Sequence, residues 1–519
     1  MSITAVHPLY AKFSPIWEKL NDVFAGQDTI KEKRQKYLPP LMSMELDGMA
    51  SPEDLGYQRY QQYILRANFP DDYSEAVRNN HGLLWSKQAT IELPDEMAYM
   101  LTSATRDGMG LQALLAAVNE MQLRNGRVGL LLDMDSVASS ENKPFISVYY
   151  APAIRNWDSA DRRLDGEVAR DSLNMLVLDE SGPVRVEGGF DWQDQIRRRV
   201  LLLGPLEVDD KANSGAVYQQ GLFVNDQETD SFDKTKMIVP KYKGSPLNEI
   251  PFVAINASDC LIEPDSPPLL GLANLVLSMY ISDADYRQHL ATQGQDTLVR
   301  IGAIGDGASD GKAPVRVGGN SVMDVAMGGD VKYVGIESKG LEEARMALAN
   351  DKAEAQLKAG QMVNNTKGSQ ESGEALRTRI GARTASLVQL AKTGASGVEA
   401  LLKLCARWMG LDENQVIVKP NLDFSKALFS GQNLVQTMSA RQLGAPVCLE
   451  TIHSYLSDQG LTTLTFEEEM KKMDEEFTKY PFVKDMMASG KADQNGVQQA
   501  QGSAVTAGGI AQGKQNQAT

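Results

Sequence analysis

Cysteine and histidine are both scarce in this chain of 519 residues, which has three of the first and four of the second. Cys260, Cys405 and Cys448 lie far apart and are odd in number, which argues against a disulfide framework and fits a reducing compartment. Four scattered histidines cannot furnish a histidine-rich metal site alone, so neither a metal nor a cofactor is expected. No run of 18 or more apolar residues occurs, so no membrane-spanning helix is expected. The start, Met1-Ser-Ile-Thr-Ala-Val-His-Pro8, has no basic stretch leading into an apolar one, so no secretion signal is expected. Basic residues also run short: 52 Lys and Arg against 68 Asp and Glu leave a net charge of −16. A protein that grips DNA tightly displays a basic face, because neutralising phosphates supplies much of the affinity. The acidic balance therefore argues against a sequence-specific DNA binder. It is compatible with a conduit that lets a polyanion slide without holding it, although charge kept only for solubility explains the composition better.

Catalytic motifs are missing as well. No Gly-x-Ser-x-Gly, His-Glu-x-x-His or Cys-x-x-Cys occurs. Gly302-Ala-Ile-Gly305-Asp-Gly307 has the wrong spacing for a phosphate-binding loop and no Lys-Ser/Thr, so it reads as a flexible turn. Asp133-Met-Asp135 follows an expected strand, where two carboxylates could hold a divalent cation. Without further ligands, a base or a phosphate loop, a solvated strand end explains the pair as well. An acidic multidomain enzyme built on Asp133 and Asp135 is thus the alternative to a structural protein. Arg197-Arg198-Arg199 could touch nucleic acid, but pairing with the surplus carboxylates explains it better.

What is present is regular. An apolar content of 42% and a charged content of 23% are those of an ordinary globular protein. Helical spacing predicts helices over 10–38, 52–68 (capped by Ser51, with Pro52 in the first turn) and 108–125. A buried strand is expected at 128–132, and short β-rich runs follow at 145–150, 173–178, 197–203, 221–224 and 251–255. Next comes a long helix, with Ser266 as cap and Pro267 at its first position. Its stripe is Leu269, Leu272, Val276, Tyr280 and Ala284. A Gly-rich β excursion spans 298–336. A second helix over about 340–362 carries Leu341, Ala344, Leu348, Ala355, Ala359 and Met362 on one side, with Glu354 and Lys358 as an i,i+4 pair. After a polar break at 363–369, a long helix runs towards Trp408, with Gly394 and Gly397 expected to kink it and Gly410 to cap it. Helical pattern resumes over 432–486, interrupted by Pro446. Beyond Met487 the Gly, Gln, Ala, Ser and Asn tail lacks the apolar surface needed to fold and is expected to be disordered.

The words of this sequence, in order, resemble the portal (head-to-tail connector) proteins of tailed bacteriophages, in the branch catalogued as a domain of unknown function. They are Trp17-Glu-Lys-Leu-Asn-Asp-Val-Phe-Ala-Gly26, Lys36-Tyr-Leu-Pro39, Ile91-Glu-Leu-Pro94, Leu123-Arg-Asn-Gly-Arg-Val-Gly129 with Leu132-Asp133, and Ile154-Arg-Asn-Trp157. They continue with the helix from Pro267 to Leu290, Glu371-Ser-Gly-Glu-Ala-Leu376 and Leu456-Ser-Asp-Gln-Gly-Leu461 before Glu467-Glu-Glu469. Together they span roughly residues 15–480. The chain departs from the family at about 68–86, where it has Asn68-Phe-Pro-Asp-Asp-Tyr73 in place of an aromatic-rich helix.

The resemblance implies an α+β portal fold and a non-enzymatic ring of about twelve subunits around a channel, the closed form that head-to-tail contacts can take. Residues 1–262 would be the wing, 263–297 and 339–362 the two stem helices, and 298–338 the clip. Residues 363–372 would be a tunnel loop, 373–430 the long tunnel or wing helix and its return, 431–486 a helical crown, and 487–519 a disordered tail. Asn364, Asn365 and Lys367 would approach the DNA, while Lys312 and Arg316 in the clip would meet the packaging motor and tail. The implied partners are further copies of the chain, double-stranded DNA held without base specificity, the terminase motor, the major capsid protein or scaffold, and head-tail adaptor or tail proteins. The implied location is the virion, after assembly in the host cytoplasm. The one-sided stem stripes are expected to be buried only by neighbouring subunits.

Overall fold

The computed structural model describes residues 3–134, 143–160, 172–186, 188–206, 213–225, 232–293, 297–301, 330–334, 339–359, 373–422, 437–441, 444, 446–458, 462 and 464–479. Helices and strands mix in an α+β arrangement, and the chain divides into two compact units, Met1–Ser425 and Lys426–Thr519.

The first unit opens with helices. The helix expected over 10–38 is broken: α1 (Pro8–Ala25) ends at Gly26, whose φ of +92° suits glycine, and α2 (Gln27–Glu32) follows. Then come α3 (Met42–Leu46) and α4 (Leu55–Arg66), which starts after Asp54 rather than Ser51. Ser51 instead accepts the N–H of Glu53 while Asp54 accepts that of Ser51, so the two side chains build the turn before the helix. Where the family pattern fails, α5 (Asp72–Leu84) still forms, burying Tyr73, Ala76, Val77, Asn80 and Leu84 at helical spacing.

Strand β1 (Thr90–Glu92) leads to α6 (Leu111–Asn125), capped by Gly126 at φ +74°. Strand β2 (Arg127–Asp133) is buried along its whole length. It is the centre of a three-stranded antiparallel sheet between β3 (Phe145–Tyr150) and a later strand. A second antiparallel sheet is formed by β4 (Ile154–Ala160), β5 (Ser172–Asp179), β6 (Gly182–Arg185), β7 (Trp192–Leu206) and β8 (Asn213–Asn225). The short pair β9 (Lys241–Tyr242) and β10 (Ser245–Pro246) precedes β11 (Phe252–Asn256), which pairs with β2 from Phe252↔Leu131 to Asn256↔Arg127.

Then follow α7 (Leu270–Gln293), the antiparallel strands β12 (Thr297–Ile301) and β13 (Asp330–Val334), α8 (Lys339–Lys358), α9 (Gly373–Met409) and β14 (Ile417–Lys419), which pairs with β1. The second unit contains α10 (Leu449–Asp458) and α11 (Phe466–Lys479).

Two cores hold the first unit. One joins α6, the β11-β2-β3 sheet and the C-terminal half of α9, with Leu115, Val118, Leu130, Ile255, Val398, Leu402 and Cys405 at its centre. The other joins α1, α4, α5 and α7 with the end of α8 and the middle of α9.

Helix α9 is one element through Gly394 and Gly397, and those glycines serve close approach. A Cβ at Gly397 would stand 2.4 Å from Ile255 Cγ1, and one at Gly394 2.5 Å from Asn119 Nδ2. Gly410 ends the helix as expected, at φ +75°, with the Leu411 N–H returning to the Ala406 carbonyl at 2.8 Å.

Candidate functional site

The segment α7–β12–β13–α8 is the part of the chain with the most regular pattern and the least evident chemistry. Helix α7 begins at Leu270, later than its sequence signals suggest. Ser266 and Pro267 each precede a proline, which disfavours helical backbone. Pro267 is buried against the α6 cap: a Cβ at Gly126 would lie 2.8 Å from its Cα.

Leu272, Ala273, Val276, Met279, Tyr280 and Ala284 of α7 are all buried. This corrects the expectation that the stripe waits for a neighbouring subunit. It is covered within its own chain by Leu20, Tyr60, Tyr63, Phe69 and Tyr73 of the N-terminal helices. Phe69 meets the Tyr280 ring edge-on at 5.6 Å. Burying each large apolar side chain contributes roughly 1.5–3 kcal/mol, so Leu272, Val276, Met279 and Tyr280 together anchor α7 firmly.

Polar contacts fix its rotation. Asp283 accepts the Asn68 N–H at 2.8 Å and Arg287 Nε at 2.7 Å, while Lys19 donates to Asn274 at 2.7 Å. Tyr63 donates to Asp285, and burial together with that carboxylate holds its hydroxyl well above the usual phenol range. Burial pushes Tyr280 up to about 12.

Strands β12 and β13 pair from Thr297↔Val334 to Ile301↔Asp330, and α8 returns along α7 with Ala355 and Ala359 buried in the same core. Leu341, Ala344 and Leu348 are half-buried. Asp72 of α5 is buried; desolvation pushes its carboxyl up, and the nearby charge of Lys352 on α8 offsets part of that. Glu354 and Lys358 form the expected pair at 2.8 Å.

A second stripe on α8 was not apparent from the first. Met346, Ala349, Ala353 and Leu357 recur at helical spacing and are all exposed, Met346 by 58% and Leu357 by 54%. Among the described residues nothing covers this apolar line, although the helix is packed on its other side.

The carboxylate alternative fares differently. Asp133 is buried and paired with Arg199 at 2.9 Å; it also accepts Gln220 Nε2 and its neighbour's Met134 N–H, at 2.9 and 2.8 Å. Arg199 further binds Glu180, while Arg198 pairs with Asp179. The arginine cluster therefore spends two of its three members on internal ion pairs: Arg199 ties β7 to β2 of the other sheet, and Arg198 ties β7 to β5 within its own. Both Asp133 oxygens are thus engaged by described residues, and among the described residues no group of three or more His, Cys, Asp or Glu could hold a metal. Asp135 lies outside the described residues, as do Lys312, Arg316, Asn364, Asn365 and Lys367. The membrane expectation meets a simple finding: among the described residues no helix is long and apolar enough to cross a membrane.

Residues 268–409, from the start of α7 to the end of α9, match a family described as "Domain of unknown function (DUF4055)". No curated protein matches the chain. Among solved structures, the chain is similar to one from the neck of a native GTA particle computed with C12 symmetry, at 13% identity and a TM-score of 0.37, covering 76% of this chain and 92% of that one. A chain from the virion of the native gene transfer agent (GTA) particle gives 13% identity and 0.36, covering 73% and 87%. One from the neck of an empty GTA particle computed with C6 symmetry gives 13% and 0.34, covering 81% and 93%.

Proposed function

We propose that this chain is a structural, non-enzymatic portal subunit that closes into a ring through which double-stranded DNA is packaged and ejected. The observation that carries the proposal is α8. One side is packed on α7 and the N-terminal core, while the other presents the bare line Met346–Ala349–Ala353–Leu357. A head-to-tail neighbour covers such a line on every copy only if the contact closes into a ring. The order of sequence words resembling portals supplies the identity of that ring, and both Asp133 oxygens are engaged in internal contacts.

In this reading α7 and α8 are the stem, β12–β13 the base of the clip, and α9 the helix leaving the tunnel loop. The clip residues Lys312 and Arg316 meet the terminase motor and later the tail adaptor, and Asn364, Asn365 and Lys367 approach DNA phosphates without reading bases. Capsid protein or scaffold surrounds the ring in the virion. Negative-stain imaging of the purified protein tests this directly, with closed rings as the expected outcome. A stable, monodisperse monomer at micromolar concentration would overturn the proposal.

A further inference from the structure

The second compact unit carries a surface of a different character, independent of the ring. Helix α11 starts with a capping box: the Thr465 N–H donates to the Glu468 carboxylate at 3.0 Å, and the Glu468 N–H returns to Thr465 Oγ1 at 3.4 Å. Its apolar residues are Phe466, Met470, Met473 and Phe477, alternating four and three residues apart, which is the d-a-d-a seam of a coiled coil. All four are half-buried and no residue of the helix is buried, although Phe466 meets the His453 ring of α10 edge-on at 5.5 Å. Among the described residues the seam is thus formed but incompletely covered.

The charges beside it are one-sided. Glu467 and Asp474 flank the seam at the e positions, Glu469 and Glu476 at the g positions. Lys471, Lys472 and Lys479 fall on the back of the helix, each four residues after a glutamate, a spacing that suits i,i+4 pairing. A second copy of α11 would set acid against acid in either direction, because e and g are both negative.

We propose that this seam is a docking site for an amphipathic helix of a partner protein, with apolar residues at the same spacing and Lys or Arg along both flanks. Two methionines at its centre suit such a site, since their unbranched side chains adapt to differing knobs.

The test uses the full-length protein and two labelled synthetic peptides of three heptads. Both have Leu at a and d; one has Lys at e and g, the other Glu. Fluorescence anisotropy should show the Lys peptide binding more tightly by about tenfold or more, with the preference shrinking as salt is added. The double variant Met470→Ser/Met473→Ser keeps every charge and should weaken binding by about tenfold. Undiminished binding to it would reduce the effect to general attraction for an acidic protein and overturn the proposal. Glu467→Lys/Asp474→Lys, at two exposed positions, gives an independent reading should the serine variant unfold. It must weaken the Lys peptide and strengthen the Glu peptide; no change refutes the site. A fall in oligomer mass on light scattering of either variant would mark the seam as a contact between copies, and would also overturn it.

Discussion

The guanidinium of Arg127 lies 4.7 Å from the ring centroid of Trp157, and His7 stacks on the same indole at 4.1 Å. Arg127 is fully buried at the start of β2. Its Nη2 donates to the Ile262 carbonyl, while Nε and Nη1 find no hydrogen-bond partner among the described residues. Burial pushes the guanidinium down to about 9, and the aromatic face is what compensates. The arrangement holds the segment entering α7, because Asn256 donates to the Leu261 and Glu263 carbonyls beside it.

A buried cation without a carboxylate is a costly way to hold a backbone segment. Arg127→Met keeps the volume against Trp157 and removes the desolvated charge, so stability should be unchanged or raised, by up to roughly 1–4 kcal/mol. Arg127→Ala leaves a cavity and should cost about 2–5 kcal/mol. Chemical denaturation of both variants at equal protein concentration checks the ordering; a larger loss for Met than for Ala would refute it.

His7 makes the same region sensitive to acid. Its Nδ1 accepts the Leu9 N–H at 3.2 Å, capping α1, which only an imidazole unprotonated at that nitrogen can do. Burial, with the Arg127 charge adding to it and Glu263 opposing, holds its pKa below the ordinary 6.5. A lowered pKa in the folded state means the cap's contribution is fully present above pH 6.5 and is lost as pH falls through the folded value. Amide exchange in Pro8–Ala25 should therefore speed up below pH 6.5 relative to His7→Asn, whose side chain caps at any pH. Parallel pH profiles for the two proteins would remove His7 from this role.

Periodicity made the long elements legible before any coordinates. The α7 and α9 stripes, the buried β2 run and the Gly410 cap all follow from spacing and from glycine's freedom at positive φ. Partners were what spacing could not supply. The α7 stripe looked like a surface awaiting another subunit because α5 was not legible: its buried face mixes Tyr73, Val77 and Leu84 with Asp72, Ser74 and Asn80, which break the apolar pattern. Gly394 and Gly397 read as a hinge, yet their lack of a side chain admits Asn119 and Ile255. Asp133 looked free because Arg199 is 66 residues away in sequence. The second α8 stripe was overlooked because two of its four members are alanines.

That stripe carries the sharpest prediction about assembly. Met346 and Leu357 are each more than half exposed, so glutamate at both positions should change the stability of the single subunit by no more than about 0.5 kcal/mol each. At a contact between copies the same carboxylates would be desolvated without partners, at a cost of several kcal/mol per charge, which exceeds what two apolar side chains contribute. Met346→Glu/Leu357→Glu should therefore give folded monomers, with unchanged circular dichroism and a single-subunit mass by light scattering. Val276→Glu, on the buried face of α7, should instead unfold the first unit, separating loss of assembly from loss of fold. Intact rings from the double glutamate variant would show that α8 faces solvent in the assembly, and the contact between copies would have to be sought elsewhere on the first unit.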